Sequence, residues 1–214
     1  MPEVVRLPRI AMAESLVEFF LENFRAHWRE CAYRQRRGYR TESFTYGDVL
    51  GMASRFAAML EARGIAKGDR VMLWGENCAE WVAVFFGCAL RGVIVVPMDD
   101  GATSDFALRV FQQVEAKLLV GSRRHVHECA AAGFSGASLS LEDLMQVTRE
   151  SQPDAAKNAA LGGTPSMSAP DVAVGRDDVL QIVFSVDPSF LRHDSITPMS
   201  PALSLLILRS AQLV

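Results

Sequence analysis

Three short stretches carry residue types that do chemistry in other proteins, and spacing decides what each can offer. His125-Val126-His127-Glu128 supplies two imidazoles and a carboxylate, the donors of a zinc-type site. On a helix an i, i+2 pair points to different faces, unlike an i, i+4 pair, so no metal ligand is expected there. Gly87 and Gly92 have the spacing that opens a phosphate-binding loop, but Val93 and Ile94 stand where a lysine and a hydroxyl residue must reach phosphates and Mg²⁺. Asp99-Asp100-Gly101 follows the end of an apolar strand, a place where open α/β sheets hold ligands, but Asp and Gly are the expected turn residues, so it reads first as an ordinary acidic turn. Cys88 lies in an apolar run, where a thiol is inert. No Ser/His/Asp or Cys/His set can be assembled from spacing, so no catalytic residue and no metal ligand is assigned.

The elements that would position such residues follow a strand-helix rhythm. Leu16, Phe19, Phe20, Phe24 and Trp28 fall at helical spacing from Ser15 to Trp28, with Glu18, Glu22 and Arg25 on the opposite face. Residues 32–35 and 39–44 flank Arg36-Arg37-Gly38 as a small hairpin. Thr45 with Asp48 reads as a helix cap, and that helix carries Val49, Leu50, Ala53, Phe56, Ala57 and Leu60 on one face before Gly64 stops it. A strand over 70–74 follows. Asn77 with Glu80 repeats the capping pattern ahead of a helix that is apolar nearly all round, as a helix between layers must be. A strand over 93–96 comes next, with Pro97 expected to end its pairing because it has no N–H. Helices near 104–114 and 123–132, a strand over 117–120 and a short segment over 141–147 continue the pattern. The fold class is α/β, with Rossmann-like parallel sheet layers and flanking helices.

Composition bounds the remainder. In 214 residues, half of them apolar, there is material for one sizeable core. With 22 basic and 25 acidic residues the net charge of -3 gives no broad footprint for nucleic acid, and the local run Arg34, Arg36, Arg37, Arg40 reads as a solvated turn between strands. Cys31, Cys78, Cys88 and Cys129 lack paired C-x-x-C spacing, and Met1-Pro-Glu-Val-Val-Arg6 does not look like a secretory leader, so a reduced, cytoplasmic setting is expected. No apolar stretch reaches the roughly 20 residues that span a bilayer.

Three stretches in order resemble the N-terminal region of the AMP-forming acyl-adenylate synthetases, the superfamily that includes acyl-CoA synthetases, luciferases and peptide-synthetase adenylation domains. Phe44-Thr-Tyr-Gly-Asp-Val49 is similar to the first core motif of that superfamily. Gly64-Ile-Ala-Lys-Gly-Asp-Arg-Val71 is similar to its turn into the first Rossmann-like strand. Glu76-Asn-Cys-Ala-Glu-Trp81 with Phe86-Gly-Cys-Ala-Leu-Arg-Gly-Val-Ile-Val-Val-Pro97 is similar to the next helix and second core motif. The resemblance runs from about Glu14 to Phe184. It implies a parent activity in which ATP activates a carboxylic acid, fatty acids among them, as an acyl-AMP, after which a thiol takes the acyl group. ATP, Mg²⁺ and CoA are the cofactors implied.

The resemblance also locates a departure. Gln181-Ile-Val-Phe-Ser185 is similar to the strand leading into the superfamily's Ser/Thr/Gly-rich phosphate loop, which makes Ser185 the single cofactor-binding candidate. From Val186 the pattern is lost: Asp187-Pro-Ser-Phe190 replaces the flexible hydroxyl and glycine residues, and no glycine follows Gly175. Backbone N–H groups of such a loop hold the phosphates, and an acidic side chain there repels them. The organisation expected is therefore 1–148 as the N-terminal part of an AMP-binding synthetase domain, 149–176 as a linker-like segment, 177–185 as the strand toward the absent loop and 186–214 as a divergent tail. The expected function is the N-terminal part of an AMP-dependent acid–thiol ligase, truncated and inactive alone, with no cofactor bound productively. The rival reading is a non-catalytic α/β interaction or ligand-binding module whose apolar tail, Leu203 to Leu208, docks onto a protein partner. A strand ending near Phe184 is expected to leave an unpaired sheet edge.

Overall fold

The structure, a computed structural model, describes residues 15–144, 174, 175, 177–186 and 203–209. Most of the expected linker, and all of the expected tail except Val186 and 203–209, lie outside them. Helix α1 (Leu16–Ala26) starts where the Ser15 hydroxyl accepts from Glu18 N at 3.3 Å. It buries Val17, Phe20 and Leu21, and Phe20 stacks on Phe86 with ring centroids 3.7 Å apart. Strands β1 (Cys31–Arg37) and β2 (Arg40–Thr45) form the expected antiparallel hairpin.

Helix α2 (Tyr46–Ala62) has the capping box its sequence announces: Asp48 N donates to the Thr45 hydroxyl at 3.1 Å, and Thr45 N donates back to the Asp48 carboxylate at 2.8 Å. Gly64, at φ +69°, takes the left-handed turn that ends it. Helix α3 (Ala79–Leu90) packs against α2 so closely that a methyl group on Gly87 would sit 2.7 Å from Ala53 O and 2.8 Å from Phe56 Cδ1. Its all-round apolar character is the signature of that sandwiched position.

The main sheet is built from β3 (Arg70–Trp74), β4 (Ile94–Met98), β5 (Leu118–Gly121), β6 (Ser138–Ser140), β7 (Val179–Val186) and β8 (Leu203–Arg209), in the order β6-β5-β3-β4-β7-β8. All neighbours are parallel except β7 and β8. Helices α4 (Ser104–Gln113) and α5 (Arg123–Ala131) complete the layers. Val71, Leu73, Val95, Leu118 and Val120 pack under α2 and α3. Met72, Trp74, Val96, Met98 and Leu119 face α4 and α5 on the other side. Near-continuous apolar strands are what a doubly covered parallel sheet requires.

Four expectations change. Pro97 does not end its strand, since β4 runs to Met98 with Leu73 opposite Pro97. Ile94 N donates toward β3, to Asp69 O at 2.7 Å, so by alternation the N–H that Pro97 lacks faces β7, and the β3 ladder loses nothing. The cap of α3 is Cys78, one residue later than Asn77, with its sulfur accepting from Trp81 N at 3.4 Å. Residues 138–140 form β6, where no strand was expected. Finally, β7 continues through Ser185 to Val186, and 203–209 pairs with it antiparallel, so the edge expected to be bare is covered by the chain's own β8. The segment expected to seek a protein partner thus extends the sheet from which it descends.

Candidate functional site

The C-terminal ends of β3 and β5 diverge. Helix α3, which follows β3, lies on one face of the sheet, and α5, which follows β5, lies on the other. Open α/β sheets hold ligands at such a switch point. Here it opens into a cleft of about 650 Å³ lined by residues that follow four strands: Glu76 and Cys78 after β3, Asp100 after β4, Ser122 and Arg124 after β5, and Glu142 after β6. The remaining wall is the β1–β2 hairpin, through residues 33–37.

Alternate residues of β1 dock that hairpin. The Tyr33 hydroxyl donates to Asn77 O at 2.6 Å, and the Gln35 side chain accepts from Ala79 N at 2.9 Å. Arg37 donates to Glu80 at 2.6 Å, and Gln35 donates to the other carboxylate oxygen at 3.3 Å. Glu80 is 1% exposed. Its sequence position suggests a helix cap, yet the fold uses it as a buried anchor for a strand more than forty residues upstream. Burial pushes the Tyr33 hydroxyl pKa up, and the nearby Cys78 and Glu80 add to that direction.

Opposite, His125 is 1% exposed and stacks on the Trp74 indole at 3.9 Å, with the rings 7° from parallel. Its Nδ1 lies 2.9 Å from the Ser122 hydroxyl, and its Nε2 lies 2.8 Å from Arg124 Nη2 and 3.1 Å from Asp100 O. Trp74 Nε1 donates to Asp99 O at 2.8 Å, so the indole and imidazole together hold the turn after β4. Within that turn Asp99 accepts from Gly101 N at 2.7 Å, the geometry of an acidic turn, while Asp100 lines the cleft and pairs with Arg124 at 3.3 Å. The acidic-turn reading therefore holds for Asp99.

The other sequence candidates sit apart from the cleft. His127 is exposed while His125 is buried, so the two imidazoles diverge as an i, i+2 spacing dictates. Gly87 is a packing contact within α3, and Gly92, at φ +63°, ends that helix. Cys88 is fully buried, and burial raises its thiol pKa. Ser185 lies within β7 opposite Ser204 of β8, in the ladder rather than in a turn. Among the described residues no three His, Cys, Asp or Glu side chains are grouped as the ligands of a metal ion. Sequence reading passed over Arg34 and Arg36 as a solvated turn. The available signal was their i, i+2 spacing on a strand, which places both on one face.

The sequence pattern described as "AMP-binding enzyme" matches residues 23–186, most of the chain and all of its sheet up to the end of β7. The chain belongs to the AMP-binding enzyme family. This family member is 31% identical over 139 residues to the crotonobetaine/carnitine–CoA ligase of Salmonella paratyphi C (strain RKS4594), an alignment covering 61% of this chain and 27% of the ligase. It therefore spans about a quarter of that relative's length. Among solved structures it superposes on VinN in complex with 3-methylaspartate with a TM-score of 0.71 at 17% identity, covering 93% of this chain and 48% of VinN. On the Legionella pneumophila fatty acyl-adenylate ligase the TM-score is 0.68 at 17% identity, over 93% of this chain and 31% of that one. These likenesses establish the fold: the α/β layers of this chain are those of part of an adenylate-forming ligase. No helix among its described residues is long and apolar enough to cross a membrane.

Proposed function

We propose that the chain forms the N-terminal sheet subdomain of an ATP-dependent acid–thiol ligase. The reaction joins a carboxylate to the α-phosphate of ATP with loss of pyrophosphate, and a thiol such as that of CoA then displaces AMP to give the thioester. The observation that carries this reading is the family match over 23–186, which takes in the sheet through the end of β7, Ser185 included. In this reading the motif residues act as scaffold. The Thr45–Asp48 cap starts the helix that covers the sheet, and Gly87 lets α3 lie against it. Ser185 would be the remnant of the approach to the phosphate loop. The substrate is a carboxylic acid, and fatty acids belong to the proposed range. A cytoplasmic setting suits four cysteines that are all free.

Adenylation requires groups that stabilise the charge developing on the α-phosphate and hold the carboxylate in line. The described residues present no such set, so the 214-residue polypeptide is expected to lack activity alone. ATP–pyrophosphate exchange, measured on the purified chain with short-, medium- and long-chain carboxylates, tests this. No exchange above the protein-free rate is the expected result, and robust exchange would overturn the claim of inactivity.

A further inference from the structure

The tip of the β1–β2 hairpin collects cations that the fold does not neutralise. Tyr33, Gln35 and Arg37 use the face of β1 that meets residues 77–80, so alternation puts Arg34 and Arg36 on the opposite face, where both are exposed. That outer face continues on β2 with Ser43 opposite Arg34 and Thr41 opposite Arg36, all four exposed and none acidic. At the tip Arg40 lies directly across from Arg37. Like charges in that position disfavour pairing, and Arg37 is relieved by Glu80 and Glu42, at 2.6 and 3.3 Å. Arg34, Arg36 and Arg40 have no ion-pair partner among the described residues. Arg36 Nε donates to Gly38 O at 3.1 Å, which draws its guanidinium to the turn.

A second observation sits between these cations. Tyr39 is a large hydrophobic side chain standing fully in water, 102% exposed, and Gly38, at φ +57°, makes the tight turn that carries it. The ring adds nothing to the core and the Arg37–Arg40 pairing weakens the ribbon, so folding explains neither. We propose that this tip docks the protein onto an anionic lipid surface, with Tyr39 at the headgroup level and Arg36 and Arg40 flanking it against the anionic headgroups. Arg34, about 7 Å further along the strand, adds to the attraction. Small ligands need a concave site, and a fully exposed hairpin tip is convex, so its partner has to be an extended surface. Tyrosine is enriched at membrane–water interfaces, where one end of the ring is apolar and the other wet. Each arginine near such a surface strengthens binding about fivefold. With a net charge of -3, the remainder of the chain is repelled by the same surface, which favours a tip-first approach. None of the residues on which the ligase reading relies, Thr45, Asp48, Gly87 and Ser185, belongs to the tip, so docking and ligation hold or fail independently.

Co-sedimentation of the full chain with phosphatidylcholine vesicles containing about a third phosphatidylserine, against phosphatidylcholine alone, tests the docking. Binding to the anionic vesicles is expected, with little to the neutral ones, and it should fall as salt is raised from about 50 to about 300 mM. Arg34→Ser/Arg36→Ser/Arg40→Ser should weaken it about twentyfold or more. Arg34→Lys/Arg36→Lys/Arg40→Lys keeps the charge and should stay within about threefold of the parent. Tyr39→Ser should weaken binding several-fold while leaving its salt dependence unchanged. Folding should persist in all three, because the altered side chains are exposed and the hairpin docks through Tyr33, Gln35 and Arg37. A thermal melt of each variant verifies that. Failure to bind anionic vesicles, equal binding to neutral ones, or binding unchanged in the triple serine variant overturns the proposal. So does tighter, arginine-dependent binding to single-stranded polyuridylate measured in parallel, which would assign the tip to nucleic acid.

Discussion

Arg37 and Glu80, 43 positions apart, close to 2.6 Å, with the glutamate side chain 1% exposed and the arginine 42% exposed. The asymmetry matters more than the distance. Removing Arg37 leaves a buried carboxylate with the neutral Gln35 amide but no cation, whereas removing Glu80 leaves an arginine that water can still reach. The pair joins the hairpin to the first turn of α3, and with it one wall of the cleft.

Arg37→Ala is therefore expected to cost more stability than Glu80→Ala, about 3–5 against about 1–3 kcal/mol. Urea unfolding of both variants measures the ranking. Equal costs, or the reverse order, would show that the pair is solvated and adds little.

Gly87→Ala should destabilise by about 1–3 kcal/mol, because its methyl group meets backbone at Ala53 O and an immobile ring at Phe56. At Gly38, where nothing lies within 4 Å, the same substitution meets only the strain of φ +57° and should cost about 1–2 kcal/mol. Paired melting curves distinguish steric from conformational cost.

Acid should unfold the protein partly through Asp178 and Asp69. The hydrogen bond from Lys67 holds the Asp178 carboxyl below its ordinary 3.8, against the opposing effect of burial. For Asp69 burial pushes upward, but the hydrogen bonds from Lys117 and Ala66 N and the charges of Lys117 and Arg70 leave the net shift downward. A folded pKa below the unfolded one means that the unfolded chain takes up protons first. The stabilisation is thus present above the ordinary carboxylate value and is lost as pH falls through the depressed one. The urea midpoint should drop as pH is lowered from about 5, and the drop should be shallower in Asp178→Asn and Asp69→Asn. An unchanged slope in both variants would remove these pairs from the account.

The cysteines should separate under a thiol-specific reagent in native buffer. Cys31 is exposed and should react first. Burial pushes Cys78 up to about 11, with Glu80 adding to the rise, so its thiolate is scarce at neutral pH. Cys88 and Cys129 are buried and should label only after unfolding. Counting labelled sites by mass spectrometry against time checks the order, and fast labelling of Cys88 would contradict the packing of α3.

Local signals made much of the fold legible. Thr45 with Asp48, Gly64 and the apolar runs at 70–74 and 118–120 act through neighbours in sequence, and each element appeared where those neighbours required it. Failures came where the deciding partner was remote. Pro97 stays inside β4 because of which neighbour its missing N–H faces, and that depends on strand order. Glu80 looks like a cap residue until Arg37 arrives from the hairpin. Strand β6 has only three residues, too few for a period, and exists through its pairing with β5.

The sequence by itself determined the α/β class, the family and the loss of the phosphate-loop pattern after Ser185, because periodicity, capping and motif order are one-dimensional properties. Only the tertiary structure decided that the switch point between β3 and β5 opens a cleft, and that β8 returns to cover β7. It also decided that Arg34, Arg36 and Arg40 are left without ion-pair partners among the described residues while Arg37 beside them is matched. Which charges cancel depends on distances across the fold, and residues as far apart as Arg37 and Glu80 acquire a distance only when the sheet and its helices have closed.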